Sequence, residues 1–252
     1  MVKKYIVIII VLFEACQPKD NRIVILAKYP DGKMKTSVQY FHLNDTLKYS
    51  LKEYFQNGEL YHEATVNDGT FIGRKIKYFG NRLVAQIDSL FVPQVIGSKN
   101  WTGMVTRFYS NGVISQRYLV KNGKMNGIFQ NYKDDGIISK EYEVIDDTIK
   151  NGIYTEYHSN GVRSYQTTYI LGEHHGMEYY FNLSGDTTEY VMYRDGENKF
   201  PYKKWLKGGV FLIGNYSNKQ ETKAKWLWIN KTGIILKTKD VYNPKHEFPL
   251  PE

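Results

Sequence analysis

Cysteine and proline are scarce in this chain, and the sequence motifs of common enzyme classes are missing. The 252 residues include one cysteine, Cys16, which excludes a disulfide within the chain. There is no phosphate-binding loop, no dinucleotide-binding glycine fingerprint, no His-Glu-x-x-His zinc motif and no Gly-x-Ser-x-Gly nucleophile motif. These absences predict a protein that is not an enzyme and that needs no cofactor and no metal.

Long charged runs and long apolar runs are missing as well. The net charge is +8, but the basic residues stand singly or in pairs such as Arg74-Lys75. A diffuse positive surface of this kind suits solubility, an anionic envelope or an acidic partner, and it does not favour nucleic-acid binding. The longest unbroken apolar run near the N-terminus, residues 5–13, is too short to span a bilayer as a helix.

That apolar run follows Lys3-Lys4 and ends shortly before Ala15-Cys16. This arrangement is typical of a signal peptide, and the small residue before a lone cysteine resembles a bacterial lipobox. The resemblance implies cleavage before Cys16 and acylation of its sulfur, with residues 1–15 as the signal peptide and 16–22 as a tether. We therefore expect an exported lipoprotein anchored in the outer membrane, on its periplasmic or surface face. A plain secretory signal with an incidental cysteine is the alternative.

Glycine and tyrosine are abundant, with 21 and 22 residues, and the glycines recur at a fixed spacing. A series of turn glycines is spaced by 24 or 25 residues: Gly112, Gly136, Gly161, Gly185, Gly209 and Gly233. An aromatic residue stands four positions before the turn glycine in six copies: Tyr54, Phe108, Tyr132, Tyr157, Phe181 and Trp205. A second glycine series comprises Gly73, Gly103, Gly127, Gly152 and Gly176, and its last three intervals are again 24 or 25 residues. Two series with one period predict a tandem structural repeat.

Each copy of the repeat is predicted to be a β-hairpin. Ten of the 21 glycines follow Asn or Asp, and such pairs between alternating apolar residues are the strongest short hairpin signal. Because a lone hairpin is marginal in water, the copies must pack side by side. The glycine before each aromatic strand should leave room for a neighbouring ring over bare backbone. The sequence therefore predicts an all-β fold over residues 23–242. In it, tandem antiparallel β-hairpin repeats, roughly sixteen strands in all, form an elongated twisted sheet or an open β-solenoid.

The repeat has a recognisable pattern. An aromatic residue, two variable residues and Asn-Gly are followed by an apolar residue, a tyrosine and Gly-x-x-x-Gly, as in residues 108–112 and 123–127 and again in 157–161 and 172–176. This pattern resembles the bacterial variant of MORN repeats, found in proteins grouped as toxin–antitoxin antitoxins of the YwqK type. The match is best over residues 107–196. The resemblance implies the repeat architecture, and it assigns no catalytic residue.

The ends of the repeat region depart from the pattern. Residues 22–51 contain a degenerate turn at Pro30-Asp31-Gly32 and should cap one end of the sheet, since open sheet ends invite aggregation. Residues 90–101 form an insertion or a worn repeat. Tryptophans replace tyrosines beyond residue 199, and the tail 243–252, with three prolines, should be irregular.

Aromatic residues off the repeat period are the candidate binding residues: Trp101, Tyr109, Trp226 and Trp228. His174-His175 could bind a metal, but adjacent residues of a strand face opposite ways, so an ordinary turn is the simpler interpretation. Asp134-Asp135 and Asp146-Asp147 could bind a cation or act as an acid–base pair. They fall at predicted turns, however, where aspartate is favoured for its local hydrogen bonds.

Three functions remain open on the sequence. The favoured one is a non-enzymatic, lipid-anchored scaffold that binds a protein partner at the cell envelope. The family resemblance alone suggests an antitoxin or immunity protein that neutralises a toxic partner. The basic, aromatic sheet could instead bind anionic lipid or polysaccharide. None of the three requires nucleic acid or a small-molecule cofactor.

Overall fold

The computed structural model describes residues 22–42, 45–149, 151–206, 208–216 and 223–242. The predicted signal peptide, Cys16 and the tail 243–252 lie outside the described residues, as does the tether apart from Arg22. The described residues form one sheet of twenty strands, with a short 3₁₀ helix at Gly80–Arg82. The all-β prediction is confirmed.

The first ten strands are β1 (Ile23–Lys28), β2 (Met34–His42), β3 (Asp45–Tyr54), β4 (Leu60–Asn67), β5 (Thr70–Tyr78), β6 (Val84–Leu90), β7 (Gln94–Val95), β8 (Gly103–Phe108), β9 (Ile114–Lys121) and β10 (Lys124–Tyr132). The other ten are β11 (Ile138–Val144), β12 (Gly152–Tyr157), β13 (Arg163–Ile170), β14 (Glu173–His174), β15 (Gly176–Phe181), β16 (Thr187–Arg194), β17 (Glu197–Leu206), β18 (Val210–Tyr216), β19 (Lys223–Asn230) and β20 (Ile235–Tyr242).

The sheet is an antiparallel meander whose strand order follows the chain. The two-residue strands β7 and β14 pair with β5 and β13, so β6 pairs directly with β8 and β13 directly with β15. Among the described residues, β1 pairs only with β2 and β20 only with β19, so the sheet is open. The prediction of tandem hairpins is confirmed, with twenty strands instead of the roughly sixteen that the repeat count suggested.

The Asn-Gly turns have the geometry that their sequence predicts. In the turn at residues 109–113, the Tyr109 amide donates to the Val113 carbonyl at 2.8 Å, and the Gly112 amide donates to the Tyr109 carbonyl at 2.9 Å. The Asn111 side chain accepts the Val113 amide at 3.0 Å. Gly112 has a φ of 83°, which only glycine adopts without strain.

The turn at Pro30-Asp31-Gly32 is as regular as those in the middle of the sheet. The two backbone bonds of the repeat turn recur at residues 29–33, and the Asp31 carboxylate accepts the Lys33 amide at 3.1 Å. Gly32 also has a φ of 83°. The expectation of a degenerate turn here is wrong, because Asp31 and Gly32 supply the side-chain acceptor and the positive φ that the turn needs.

One face of the sheet, here called the inner face, holds the buried apolar side chains. The strand registers place one row of residues across it: Val38, Leu51, Ala64, Lys75, Asp88, Val105, Tyr118, Phe129, Tyr142, Tyr154, Thr167, Glu178, Val191, Tyr202, Gly214 and Trp226. Two apolar clusters lie along this row. One, over β8–β11, consists of Val105, Tyr118, Val120, Phe129 and Val144. The other, over β16–β19, consists of Val191, Tyr202, Leu212, Ala224 and Trp226.

The second glycine series does not make room for aromatic rings. A Cβ on Gly127 would first meet the Leu119 side chain at 3.6 Å, and Gly73 and Gly176 face open space. These three glycines have φ values of 89°, 68° and 79°, and the strand register shifts beside Gly73 and Gly127. The expectation of a ring over bare backbone is wrong, because these glycines are required by the backbone of β-bulges and kinks.

Candidate binding face on the inner side of the sheet

A ladder of aromatic rings crosses the inner face from β9 to β13. Successive ring centres lie 5.5, 4.9, 5.3 and 6.1 Å apart in the order Tyr118, Phe129, Tyr142, Tyr154 and Tyr165. The first three contacts are stacked, and the fourth is edge-on. Contacts of this kind contribute about 0.5–1.5 kcal/mol beyond burial. The rings therefore hold one another in place, while the last three remain only half-buried.

The ladder divides at Tyr154 and continues to β16. One branch passes from Tyr165 to Tyr180, with ring centres 5.1 Å apart. The other passes from Tyr154 to Tyr169 at 6.3 Å, then to His174 at 4.5 Å and to Tyr193 at 5.0 Å. The aromatic ladder, as the term is used below, comprises the nine residues Tyr118, Phe129, Tyr142, Tyr154, Tyr165, Tyr169, His174, Tyr180 and Tyr193.

The Glu178 carboxylate fixes the divided end of the ladder. Its side chain is 3% exposed, and it accepts the Tyr165 hydroxyl at 2.6 Å and the Tyr180 hydroxyl at 2.8 Å. His174 Nδ1 lies 2.9 Å from Glu178 Oε2, and His174 Nε2 lies 2.8 Å from the Tyr169 hydroxyl. A buried carboxylate is costly unless it is hydrogen-bonded. These contacts therefore constrain four ladder side chains at once.

The tyrosine hydroxyls of this region are held in the protonated form. Burial raises the pKa of four tyrosines, and the carboxylate to which each donates raises it further: Tyr154, Tyr165, Tyr180 and Tyr202. For Tyr154 that carboxylate is Glu156, at 2.6 Å. The raised pKa values make these groups fixed hydrogen-bond donors, and they disfavour an ionised tyrosine acting as a base or nucleophile.

Trp101, a binding residue predicted from the sequence, lies beside the first rings of the ladder. The insertion 90–101 folds over a buried ion pair, since Lys75 Nζ lies 3.6 Å from Asp88 and donates to the Gln94 amide oxygen at 2.9 Å. The same Nζ lies 5.1 Å from the centre of the Trp101 ring. Half-buried Trp101 borders an open groove of about 470 Å³ on the inner face. Its binding role stays a prediction.

The two C-terminal tryptophans differ in access. Trp226 is 0% exposed and contacts Tyr202 edge-on, with ring centres 5.1 Å apart. The prediction that Trp226 contributes to a binding surface is therefore wrong for this structure, because a partner cannot reach its ring. Trp228 is half-buried, and Lys237 Nζ lies 4.9 Å from its ring centre. Its binding role stays a prediction.

Tyr109 has a structural contact that repeats along the chain. Its hydroxyl donates to the Tyr132 carbonyl, 23 residues later, at 2.7 Å. Tyr29 makes the matching contact with the Tyr54 carbonyl at 2.6 Å, and the His158 ring reaches the Phe181 carbonyl at 2.9 Å. The interpretation of Tyr109 as off the period is wrong, because in three copies this position ties a turn to the strand end of the next copy. A binding role for Tyr109 stays a prediction.

Trp205 is the exposed tryptophan that sequence reasoning did not select. It is 42% exposed and lies on the outer face, where Tyr179, Tyr190 and Lys203 line an opening of about 240 Å³ beside it. Trp205 occupies the aromatic position of the repeat, which favoured a packing role. The sequence feature that could have identified Trp205 is the change of residue type, because the five other copies with an aromatic residue at this position have Tyr or Phe.

The histidine and aspartate pairs have separate outcomes. His174 is part of the Glu178 network, so its interpretation as an ordinary turn residue is wrong. His175 lies apart from that network, and its Nδ1 is 3.9 Å from an Asp195 oxygen. The turn interpretation is confirmed at Asp135, which accepts the Ile137 amide two residues later at 2.9 Å. Asp147 also lies in a turn, but its carboxylate accepts the amide of Met125, 22 residues earlier, at 2.7 Å, so its bond is not local.

Within the described ranges, no three His, Asp or Glu side chains come together in an arrangement that could hold a metal ion. The same ranges contain no helix with the length and apolar character needed to cross a bilayer. No protein-family model and no curated protein matches the chain. The resemblance to MORN-repeat variants therefore stays a prediction that rests on the repeat itself.

Proposed function

We propose that this chain is a non-enzymatic binding protein of the cell envelope, held at the outer membrane by acylated Cys16, whose inner face binds an extended segment of a protein partner. The observation that carries the proposal is the aromatic ladder. It places aromatic rings side by side on strands β9 to β16, and the rings from β11 onward keep part of their surface exposed.

Tyrosines fixed in this way suit protein recognition. A tyrosine offers a large contact area with few rotatable bonds, and tyrosine is enriched where binding energy is concentrated in interfaces. Here ring contacts and the Glu178 network restrict the rings before a partner arrives, so little conformational entropy is lost on binding. An extended segment lying across the strands would contact one ring after another.

Site-specific photocrosslinking tests the binding face. Tyr154 on the inner face and Tyr190 on the outer face are each replaced by p-benzoylphenylalanine, and intact envelopes are irradiated. We expect a discrete crosslinked protein from the Tyr154 position and none from Tyr190, because only the first lies in the ladder. Crosslinking from Tyr190 alone, or from neither position, would contradict the proposal. A toxic enzyme as the crosslinked protein would assign the antitoxin role.

Metabolic labelling tests the anchor separately. Radiolabelled palmitate should enter the wild-type chain and should not enter the Cys16→Ala variant, since Cys16 is the only cysteine. Equal labelling of the two chains, or no labelling of either, overturns acylation at Cys16. It leaves the result of photocrosslinking unaffected.

A further inference from the structure

A groove lies on the outer face, over β2 to β5, on the opposite side of the sheet from the aromatic ladder. Its volume is about 850 Å³, which is within the range of small-molecule sites. Three apolar side chains line its walls, Phe41, Ile72 and Ile76. Each of them is half-buried, so part of each apolar surface faces the open groove.

Basic side chains stand at the side of this groove nearest the connecting loops. Lys48, Arg74 and His42 line it, and all three are exposed. Among the described residues, the Arg74 guanidinium makes no hydrogen bond or ion pair with another side chain. A guanidinium is a planar, permanently charged donor that suits carboxylate and phosphate groups. The cationic side of the groove is therefore suited to an anion.

The groove has one lining carboxylate, Glu63, and it lies toward the opposite side. The Tyr78 hydroxyl donates to Glu63 at 2.5 Å, and burial together with this hydrogen bond raises the pKa of Tyr78 to about 12. Tyr78 therefore remains a donor at neutral pH and holds the carboxylate. In the register of β4 and β5, Glu63 pairs with Ile76, and Ile76 lies two residues beyond Arg74 on β5. The negative and positive side chains of the groove are therefore separated along the strand direction.

A β-bulge shapes the floor between these sides. The β4–β5 register shifts between Ala64 and Thr65, and the extra residues on β5 are Gly73 and Arg74. Gly73 has a φ of 68°, and a Cβ there would meet no atom within 4 Å. The bulge therefore leaves no side chain over the floor of the groove at Gly73, and it changes the direction of the next residue, Arg74. β-Bulges beside functional sites commonly redirect a side chain in this way.

We propose that this groove binds a small amphiphile with an anionic head group, a carboxylate or a phosphate. Arg74 and Lys48 contact the head group, and Phe41, Ile72 and Ile76 contact the apolar part. The site depends neither on acylation of Cys16 nor on the aromatic ladder.

Fluorescence titration of the full chain tests the site. The chain is titrated with dansyl-undecanoic acid, in phosphatidylcholine nanodiscs if it is acylated and in buffer if it is not, and the signal of the matching protein-free sample is subtracted. The Arg74→Gln variant should bind the acid about tenfold more weakly, since hydrogen bonds to charged groups are the stronger class. The matched control is Arg117→Gln on β9, because Arg117 is also an exposed arginine of the outer face and should leave binding unchanged.

Three comparisons decide the result. Dansyl-undecanoic amide, which lacks the charge, should bind much more weakly than the acid. Dihexanoyl phosphatidate should displace the probe at far lower concentration than inorganic phosphate, which distinguishes a lipid head group from free phosphate. The proposal is overturned by equal binding of acid and amide, by equal losses in Arg74→Gln and Arg117→Gln, or by equal displacement by the two phosphates. Photocrosslinking at Tyr154 does not depend on any of these results.

Discussion

At β19 the central row of the inner face is occupied by Trp226, which is fully buried against Tyr202 and Leu212. Four strands earlier, at β15, the same row is occupied by Glu178, which is almost as deeply buried but surrounded by hydroxyl groups. The first region is stabilised by apolar burial, which is non-directional. The second depends on hydrogen bonds of fixed direction, which hold the neighbouring rings at defined positions.

This difference separates the part of the sheet that provides stability from the part that presents a surface. Near Trp226 the rings are enclosed, whereas near Glu178 the rings of Tyr165, Tyr169 and Tyr180 keep contact with solvent. The Glu178 carboxylate, in the central row of the inner face, holds these rings in place by hydrogen bonds and does not cover them. On the proposed function, the hydrogen-bonded region would provide recognition and the apolar region stability.

Removing the buried Trp226 side chain should have the largest effect on the free energy of unfolding. Trp226→Ala should lower the free energy of unfolding by about 3–5 kcal/mol, because it deletes a fully buried aromatic side chain and leaves a cavity. Urea unfolding followed by circular dichroism measures the change. Trp205→Ala is the control, since Trp205 is 42% exposed and its loss should cost far less. Equal losses in the two variants would contradict the assignment.

Removing the buried carboxylate should have the second largest effect on stability. Glu178→Ala should cost about 2–3 kcal/mol, because it removes the charged acceptor shared by the Tyr165 and Tyr180 hydroxyls and leaves the His174 ring without this partner. Glu173→Ala, an exposed glutamate of the same connection, is the matched control and should be nearly neutral. Glu178→Ala should also abolish photocrosslinking from Tyr154 while Trp205→Ala retains it. Unchanged crosslinking would show that the network does not position the ladder.

Alkaline pH should weaken the hydrogen-bonded region. The folded-state pKa values of Tyr165 and Tyr180 are raised above the ordinary tyrosine value, so the folded state retains protons that the unfolded state loses. Their contribution is complete below about pH 10 and falls as the pH rises toward the folded-state pKa values. Urea unfolding at about pH 9 and about pH 11 should show this loss, and the Tyr165→Phe variant should show a smaller one. An equal loss in the variant would refute the tyrosine contribution.

Loss of the hydrogen bond between Tyr109 and the Tyr132 carbonyl should have the smallest effect on the free energy of unfolding. Tyr109→Phe removes one hydrogen bond to the Tyr132 carbonyl and should cost about 1 kcal/mol. Tyr179→Phe is the control, because Tyr179 is a half-buried tyrosine of the outer face whose hydroxyl makes no hydrogen bond within the described part of the chain. Identical unfolding midpoints for the two variants would contradict a structural role for Tyr109.

The local chemistry of the repeat was sufficient to predict the hairpins. Asn111 and Gly112 specify their turn without help from distant residues, and the spacing of such turns predicts a meander of paired strands. The inner face was less predictable, because burial depends on which strands lie beside one another. Trp226 and Trp205 have the same residue type, yet the register places the first at the buried row and the second on the outer face.

The Glu178 network was hidden from sequence reasoning for a related reason. Glu178 and His174 are four residues apart on two short strands, and the hydroxyls that bind them come from Tyr165, Tyr169 and Tyr180. A break in the strand between β14 and β15, where Gly176 has a φ of 79°, brings these groups together. A pattern read along one strand cannot reveal a cluster that forms across three.

Tyrosine footprinting tests the central claim most directly. Hydroxyl radicals are applied to the protein in intact envelopes and to the purified chain, and the oxidation of each tyrosine is compared by mass spectrometry. We predict strong protection in the envelope for Tyr142, Tyr154 and Tyr169 of the ladder and none for Tyr179 and Tyr190 of the outer face. Protection of the outer-face tyrosines with unchanged oxidation of the ladder would contradict the assignment of the inner face as the binding surface.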